Sequence, residues 1–591
     1  MPNSARKTLV TTAIESTWPK RGKVLFLGDW CHIYNRGFLL NNLEWDLADY
    51  HWDDRNKLYS DYKYLKSQNE RFLKILSKQL NRIHSTNYSN NYWRIIIGPW
   101  LESFIHILFD RWTMLEKVLQ NNLIYECNLL EHNLDNIISN DMINFNSKIT
   151  GDDWNEAIYG ELLLKYFSGS IKFNFIRPDK KKLQNLKLNH STFNRKIKSI
   201  LLSLLNNLSK ITSRDNEIFL ISLAMPKWSE FKLQLYLGQM PKFWKIPKPN
   251  LYNLDMKMRN WNLEIDHNDG KFDEILCHML PRHIPKVYLE GYDSISMQLS
   301  KLSWPKKPKA IFAATVSNND IVKAWIAEKK EIKIPLVLRQ YGGVFGISAF
   351  FPIEDHIYKT VDKFFSWGWT GKRNKIIEPL GNLRWLEKKV SYNPKGLALM
   401  VEWTTPRYCY TARAAPLSSQ WTLYFDNQMR FISALPTVLK QNLLIRLMPI
   451  DHERCQIDRW NKSFPNIAID DCNDSIFNLI KKSRVYVSTY NATTFLESLA
   501  WNVPTIIFWD PKYNELSKSA SYDFKLLKSV GIFHETPESA ARQLIKVWDD
   551  IDSWWKSEKV QSNRKIFCHS YSRVLDKPLK LVAKKLKEVS E

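Results

Sequence analysis

The chain has 591 residues, several times the usual single-domain length of about 100–200 residues, so we expect two large domains. Its hydrophobic content of 44% and charged content of 25% exclude a disordered or fibrous chain. A formal net charge of +24 points to anionic partners, namely nucleic acid, anionic lipid or phosphorylated substrates. Because the basic residues are spread along the chain, apart from a cluster at Lys180, Lys181 and Lys182, we expect no nucleic acid partner.

The cysteines and the apolar segments indicate a compartment. Seven cysteines stand at scattered positions without a C-x-x-C pair, which is typical of a reducing environment. The first residues lack an apolar run of signal-peptide length, and polar residues such as Arg94 and Glu102 interrupt the longest apolar stretch, 93–109. We therefore expect a cytoplasmic protein, soluble or peripheral at the inner face of the plasma membrane, where its charge favours an anionic leaflet.

The first part of the chain opens with two predicted strands and continues with helical patterns. Short apolar runs at 8–14 and 23–27 end in polar residues, as parallel strands do. From 58 to 83, apolar residues recur at three- and four-residue intervals, which predicts a long amphipathic helix. A second stripe covers 197–208, so we interpret roughly 57–210 as a helical elaboration within the first domain.

Strand and helix alternate from about residue 310 to the end of the chain. The runs 310–315, 320–330 and 336–339 predict a βαβ unit, and 363–367 predicts a further strand. A linker-like segment, SYNPK at 391–395, then separates two domains, 1–392 and 393–591. The second domain alternates strands with helices in the order 396–402, about 421–439, 443–447, 466–470, 475–482, 484–488, 494–500 and 504–508. This alternation predicts an α/β fold with a doubly wound parallel sheet, whose ligands lie outside the carboxyl ends of the strands.

The strongest local signal is the segment 485–508, which reads as a buried strand, a hydroxyl-rich turn, a helix and another buried strand. Free backbone N–H groups at such a helix start bind phosphate well. Alternatively, the start is a capping box without a ligand, because Thr494 and Glu497 have the S/T-x-x-E spacing. The candidate ligand-binding side chains here are Ser488, Thr489, Thr493, Thr494 and Glu497, the last of these for ribose hydroxyls.

Two arginines near predicted strand ends are further candidates for binding phosphate. Arg407 follows the strand at 396–402, and Arg446 lies within the strand at 443–447. A guanidinium forms strong, charge-assisted hydrogen bonds to phosphate oxygens. Each arginine could equally be salt-bridged at a sheet edge, and both interpretations stay open.

A glycine-rich loop follows the predicted strand at 336–339. Residues Gln340, Tyr341, Gly342 and Gly343 begin a stretch with three glycines in five positions, which permits close backbone approach to a ligand. The pattern is neither the dinucleotide fingerprint nor a Walker loop, and an ordinary tight turn is the alternative.

Titratable residues cluster just before the long helix. His51, Asp53 and Asp54 lie close enough in sequence for acid/base chemistry, and we take them as candidate catalytic bases. Alternatively, Asp53 or Asp54 is the N-cap of the helix. Metal and nucleophile signatures are weak, because the pairs Asp152-Asp153 and Asp470-Asp471 are not D-x-D and no H-E-x-x-H or G-x-S-x-G pattern occurs, and we expect a mechanism without a metal or a cofactor.

Several segments resemble a family of transferases encoded in bacterial O-antigen and surface-carbohydrate gene clusters. The likeness covers nearly the whole chain and lies in LVTTAIESTWP, VLFLGDWC, YHWDDR, YWRIIIGPW, the QYGG-x-x-G loop, FSWGW and STYNATTFLESLAWNVPTIIFWD. The last of these also resembles the donor-site segment of GT-B glycosyltransferases and of polymer glycerophosphotransferases. The chain departs from its relatives at Tyr341, where they carry His.

The resemblance implies two Rossmann-like domains facing across a cleft. It implies that 1–392 binds the acceptor, a glycan or lipid-linked molecule, and that 393–591 binds a CMP-, UDP- or GDP-linked sugar donor. The expected activity is glycosyl transfer in surface polysaccharide biosynthesis. The alternatives are a CDP-alcohol phosphotransferase of polymer biosynthesis and a non-enzymatic basic protein that binds lipid or nucleic acid.

Overall fold

The computed structural model describes residues 6–169, 171–177, 214–265, 270–371, 375–384 and 390–591. The basic cluster at Lys180–Lys182 and the apolar stripe at 197–208 lie outside the described residues. Within the described part, no helix is both long enough and apolar enough to span a bilayer.

The strands form three parallel sheets. Their bounds are β1 Lys7–Val10, β2 Gly22–Phe26, β3 Leu43–Leu47, β4 Ile124–Leu130, β5 Lys172–Ile176, β6 Ile218–Leu220, β7 Ala310–Ala313, β8 Leu336–Arg339, β9 Lys363–Ser366, β10 Ile377–Pro379, β11 Leu397–Val401, β12 Leu443–Arg446, β13 Ala468–Ile469, β14 Ser483–Ser488, β15 Thr505–Phe508 and β16 Phe533–His534.

Helices connect and cover these strands. In the described residues their bounds are α1 Arg55–Ile83, α2 Asn90–Asn121, α3 Leu134–Ile137, α4 Met142–Lys148, α5 Asp152–Tyr166, α6 Lys227–Leu237, α7 Lys271–His283, α8 Tyr292–Ser300, α9 Asp320–Glu331, α10 Pro352–Thr360, α11 Gln420–Ser433, α12 Thr437–Gln441, α13 Gln456–Ser463, α14 Ile476–Lys482, α15 Thr494–Ala500, α16 Lys518–Ser529, α17 Pro537–Val547, α18 Ile551–Trp555, α19 Glu558–Tyr571 and α20 Pro578–Ser590.

The first unit, residues 6–177, carries a sheet in the order β3-β2-β1-β4-β5. The stretch expected to be a helical elaboration holds α1 and α2 but also β4 and β5, which complete this sheet. The half-exposed residues of β5 lack the continuous apolar run that marks a buried strand, so the pattern did not reveal it.

The second unit, residues 214–384, carries a sheet in the order β10-β9-β8-β7-β6. Helix α2 is buried along most of its length and packs against α1 of the first unit and α9 of the second. One continuous hydrophobic core therefore joins the two units. The other face of the second sheet is covered by α6 and by the C-terminal helix α20, through Leu579, Val582 and Leu586.

The third unit, residues 390–577, carries a sheet in the order β13-β12-β11-β14-β15-β16. This is the doubly wound order, with a reversal between β11 and β14. The second and third units meet through the loops at the carboxyl ends of their strands, where the Gly343 N–H donates to Thr493 Oγ1 at 3.0 Å. The predicted α/β class, with parallel sheets facing one another, is confirmed.

Candidate active site

The site begins where the strand order of the third sheet reverses. Val401 at the end of β11 lies beside Ser488 at the end of β14, so the loops that follow diverge and leave a crevice. The two loops are tied together, because Thr489 Oγ1 donates to the Val401 carbonyl at 2.9 Å and lies 2.7 Å from the Tyr424 hydroxyl.

A cavity of about 400 Å³ opens from this crevice toward the other two units. That volume lies within the range of small-molecule sites, about 300–1,000 Å³. The first unit contributes Pro99, Glu102, Ser103, Met142, Asn146, Ile149 and Thr150, the second Ser317, Asn318, Ile353 and His356, and the third Trp403, Thr404, Pro406, Tyr410, Arg413, Met448 and His452.

Arg413 is the single arginine or lysine among these lining residues, and it has no carboxylate partner in the described part of the chain. Its guanidinium lies over two aromatic rings, 5.6 Å from the Trp403 centroid and 5.2 Å from the Tyr410 centroid. Its buried Nε has no hydrogen-bond acceptor within the described residues. An unpaired cation held by aromatic faces leaves its donors available to an anionic ligand.

A smaller pocket of about 100 Å³ adjoins the cavity, and Trp403 and Arg413 line both. Its other walls come from the loop after β8 and from Tyr490, Asn491 and Ala492, which follow β14. The Trp403 ring is nearly parallel to that of Tyr490, with centroids 6.3 Å apart. The two loops at the sheet reversal thus present an aromatic surface beside the Arg413 cation.

Three titratable groups on the cavity wall have shifted pKa values. Burial raises the pKa of Glu102 to about 8, and the Asp355 charge adds to the rise. Burial, together with the charges of Arg94 and Lys323, lowers the pKa of His356 to about 3. Burial and Arg454 lower the pKa of His452. Glu102 therefore titrates near neutral pH, as a general acid or base requires.

His356 reaches the cavity because α2 carries a glycine at the point of contact. A Cβ on Gly98 would lie 2.8 Å from His356 Cε1, closer than a side chain tolerates. The imidazole therefore packs directly on the backbone of α2, one turn from Glu102. The first and second units bring these two groups to the same wall.

Neutral hydrogen-bonding side chains from the first and second units also line the cavity, among apolar ones. They are Ser103, Asn146, Thr150, Ser317 and Asn318, and Asn146 Nδ2 lies 3.5 Å from Asn318 Oδ1. Hydroxyls and amides can both donate and accept hydrogen bonds, so this wall suits a ligand that is itself rich in hydroxyl groups.

The hydroxyls expected to bind a ligand near α15 already have partners. Thr493 Oγ1 accepts from Gly343 N–H, and Thr494 Oγ1 accepts from the Tyr486 hydroxyl at 2.6 Å. Ser488 Oγ donates to the Tyr490 carbonyl at 3.3 Å, and Glu497 is 3% exposed and lies 3.6 Å from Arg384. The segment lies beside the site, and its turn residues line the adjoining pocket.

Arg407 and Arg446 are both engaged in ion pairs. Arg407 is 1% exposed and pairs with Asp152 and Glu453. Arg446 pairs with Asp470 at the edge of the third sheet and donates to the Asp474 carbonyl at 3.1 Å. Neither guanidinium lines the cavity.

The glycine-rich loop is an interface between the second and third units. Gln340 is buried and accepts from Trp367 N–H at 3.0 Å and Trp369 Nε1 at 2.8 Å, which fixes the loop to the end of β9. A Cβ on Gly343 would lie 2.3 Å from the Ala492 carbonyl oxygen, so this position requires glycine. Gly342 lies next to the contact, and the half-buried Tyr341 ring packs on Phe345.

The candidate bases near the start of α1 lie outside the cavity lining. His51 is buried, with Nε2 3.0 Å from Asp110 Oδ1. Asp53 accepts from Gln420 Nε2 at 2.9 Å, and Asp54 caps α1 by accepting from the N–H groups of Asn56 and Lys57. These contacts tie the first unit to the third and begin the helix.

The main cavity residues were missed by the sequence analysis because they have no local motif. Arg413 lies in the long loop between β11 and α11, and Glu102 lies inside an apolar helix. A signal was present for Glu102, since a carboxylate inside an apolar run is costly to bury in its ionised form and is therefore expected to have a shifted pKa.

Three solved structures of glycosyltransferases show a weak similarity to the chain. A spinosyn rhamnosyltransferase, SpnG, in complex with spinosyn aglycone is 8% identical, covers 78% of this chain and 99% of its own, and gives a TM-score of 0.28. The calicheamicin glycosyltransferase CalG4 is 10% identical, with coverages of 64% and 98% and a TM-score of 0.33. The spinosyn forosaminyltransferase SpnP is 11% identical, with coverages of 64% and 100% and a TM-score of 0.29. Likenesses this weak carry no argument about activity.

Sequence comparison gives a family match. No curated protein sequence matches the chain. A family model described as "LIC12162 family transferase" matches residues 7–586, which is nearly the whole length.

Proposed function

The chain belongs to the LIC12162 family of transferases, and we propose that the group it transfers is a sugar carried by a nucleotide. The observation that carries this proposal is the unpaired Arg413 in a cavity that is also lined by neutral hydroxyl and amide groups. A cation suits the diphosphate or phosphate of the donor, and hydroxyls and amides suit a sugar or glycan.

The donor is proposed to lie against the third unit, at the reversal of the sheet. Arg413 contacts the donor phosphate, and Trp403 offers a flat surface for the base or the sugar ring. The turn at Tyr490, Asn491 and Ala492 closes the adjoining pocket. Ser488, Thr489, Thr493 and Thr494 hold that turn in place through the hydrogen bonds described above.

The acceptor is proposed to lie against the first and second units, with Glu102 as the general base. Ionised Glu102 takes the proton from an acceptor hydroxyl, and that oxygen attacks the anomeric carbon of the donor. The bond from the anomeric carbon to the phosphate oxygen breaks, and the nucleotide leaves with the electron pair. Arg413 stabilises the charge that develops on the leaving phosphate.

The acceptor class and the pathway follow from the same proposal. A glycan or lipid-linked acceptor in O-antigen or capsule assembly fits the hydroxyl and amide groups that the first and second units contribute to the cavity. A lipid-linked acceptor would bring the enzyme to the inner face of the plasma membrane as a peripheral protein, and its net charge of +24 favours an anionic leaflet.

The direct test measures transfer and nucleotide release with CMP-, UDP- and GDP-linked sugars. A thermal-shift screen first identifies the nucleotide, because a ligand that binds the folded state raises Tm. We expect Arg413→Ala to lower kcat/KM by about 10²–10³-fold, since it removes the charge opposite the leaving group. Arg413→Lys is the matched control and should retain part of the activity, because it keeps the charge but loses the planar fork.

Product analysis separates the alternatives. A glycosyl transferase releases a nucleotide and adds no phosphorus to the acceptor, whereas a CDP-alcohol phosphotransferase adds phosphorus. If the product gains phosphorus, or if no nucleotide binds and none is released, the proposed function is wrong.

A further inference from the structure

Helix α6 of the second unit presents large apolar side chains to solvent. One face, with Ser229, Leu233 and Gln234, is buried. On the other face Trp228 is 58% exposed, Leu235 54% and Tyr236 41%, and Met240 just beyond the helix is 62% exposed. Several large exposed apolar side chains grouped on one helix face are typical of an interaction surface, whereas single exposed apolar residues are common on any protein.

Lysines lie directly against these rings. Lys232 Nζ is 5.4 Å from the centroid of Trp228, and Lys580 Nζ on α20 is 5.6 Å from the centroid of Tyr236. The Trp228 and Phe231 rings stack with centroids 5.1 Å apart. We name the set formed by Trp228, Lys232, Leu235, Tyr236, Met240 and Lys580 the aromatic–lysine surface.

The neighbouring C-terminal helix adds positive charge. It carries four lysines against a single glutamate, and its apolar face is buried on the second sheet, so Lys580, Lys584 and Lys587 are left exposed. The glutamate, Glu588, pairs with Lys585. Tryptophan and tyrosine settle at the headgroup level of a bilayer, and lysines are attracted to anionic lipid. The combination matches an anionic bilayer better than a protein partner, whose interfaces are depleted in lysine.

The surface lies close to the active-site side of the second unit. Helix α6 follows the carboxyl end of β6, and the connecting residues Leu223 and Ala224 accept hydrogen bonds from Arg339 at the carboxyl end of β8. Trp228 is therefore at the edge of the sheet that faces the cavity. A bilayer docked there would bring a membrane-embedded acceptor near the acceptor wall.

We propose that the aromatic–lysine surface docks the protein on a bilayer that contains anionic lipid. The proposal rests on the proposed function in one respect, the use of a lipid-linked acceptor, and the docking itself can be tested separately.

The test is co-sedimentation of the full chain with phosphatidylcholine vesicles, with and without phosphatidylglycerol. We expect binding to the anionic vesicles, weakened by salt, and little binding to phosphatidylcholine alone. Lys580→Glu should weaken binding roughly tenfold or more, because it reverses one charge near the membrane. Trp228→Ala should weaken it by roughly tenfold through lost apolar burial. Phe38→Ala is the matched control, because Phe38 is 67% exposed but lies on the first unit. This variant should bind vesicles as the unchanged chain does.

Several results would overturn the proposal. The first is equal binding to both vesicle types, and the second is unchanged vesicle binding of the Trp228 and Lys580 variants. The third is that the chain forms oligomers which Trp228→Ala converts to monomers, while co-sedimentation with vesicles stays the same. Nucleotide release with a water-soluble acceptor analogue, measured without vesicles, reports the cavity alone. Loss of that activity in Arg413→Ala, with vesicle binding retained, keeps the two proposals distinguishable.

Discussion

The first and third sheets share one strand order around their reversals, β3-β2-β1-β4-β5 and β13-β12-β11-β14-β15, yet their reversal points differ. At the first sheet, the loop after β11 fills the crevice at the reversal point. It places Arg407 and Tyr408 against Asp152 at the start of α5. At the third sheet, the crevice opens into the cavity of about 400 Å³.

The two reversal points differ in charge as well as in whether the crevice is filled. Helix α5 begins with Asp152 and Asp153, so its N-terminus attracts a guanidinium and repels phosphate. The loop that fills the first reversal is the same loop that carries Trp403, Tyr410 and Arg413 around the third. The part of the loop that fills the crevice of the first sheet thus anchors the part that lines the cavity at the third sheet. Arg454 holds both ends of this loop by donating to the carbonyls of Thr405 and Ser418.

The largest effect on stability is expected when the contact that fills the crevice of the first sheet is removed. Arg407→Met leaves the mostly buried Asp152 without its cation, and losing one partner of a buried ion pair costs about 3–5 kcal/mol, whereas the half-exposed Glu453 adds little to that cost. Denaturant unfolding should show an earlier first transition. Arg430→Met is the control, because Arg430 and Glu538 form an exposed pair worth about 1 kcal/mol or less. An equal effect of the two substitutions would contradict the anchoring role.

The second prediction concerns the open reversal. Glu102→Gln should lower kcat by about 10²–10⁴-fold if Glu102 is the base. Because its pKa is raised to about 8, the ionised form grows as the pH rises, and transfer should increase up to about pH 8 before levelling. A pH–rate profile checks this expectation, and the Glu102→Gln variant should not show the increase in rate up to about pH 8. Glu402→Gln is the control, since burial raises the pKa of Glu402 to about 8 as well but Glu402 is not in the cavity lining.

The third prediction tests how tightly the second unit seats against the third. Gly343→Ala would place a methyl group 2.3 Å from the Ala492 carbonyl oxygen, and the resulting overpacking should cost about 1–3 kcal/mol. We expect a lower Tm and a weaker response of Tm to nucleotide. Gly37→Ala has open space around it and should be nearly neutral. A Gly343 variant as stable as the Gly37 variant would refute the close contact.

The smallest effect on catalysis is expected at Arg446. Its partner Asp470 lies at the sheet edge, away from the cavity lining, so Arg446→Ala should change kcat/KM by less than about threefold even though the loss of this mostly buried pair lowers stability. Kinetics alongside Arg413→Ala decide which arginine meets the donor. A large loss at Arg446 with a small one at Arg413 would move the donor to the edge of the third sheet.

Periodicity and composition predicted most of the second half of the fold. The strands at 336–339, 484–488 and 504–508 agree with β8, β14 and β15 to within about one residue, because buried parallel strands are short, continuous apolar runs between turns. The single helix expected at 421–439 is two, α11 and α12, since Pro436 separates them. The start of α1 at Asp54 follows directly from its capping side chain.

The sequence by itself determined the α/β class, the long helix α1, the turn before α15 and the resemblance to transferases, because these depend on local spacing and on contiguous motifs. The tertiary structure decided which side chains meet. Arg407 and Arg413 are six positions apart in one loop, yet one is buried against Asp152 and the other faces a cavity. The position of Arg407 depends on Asp152, which lies 255 residues away in sequence, and no local pattern encodes a contact between residues that distant.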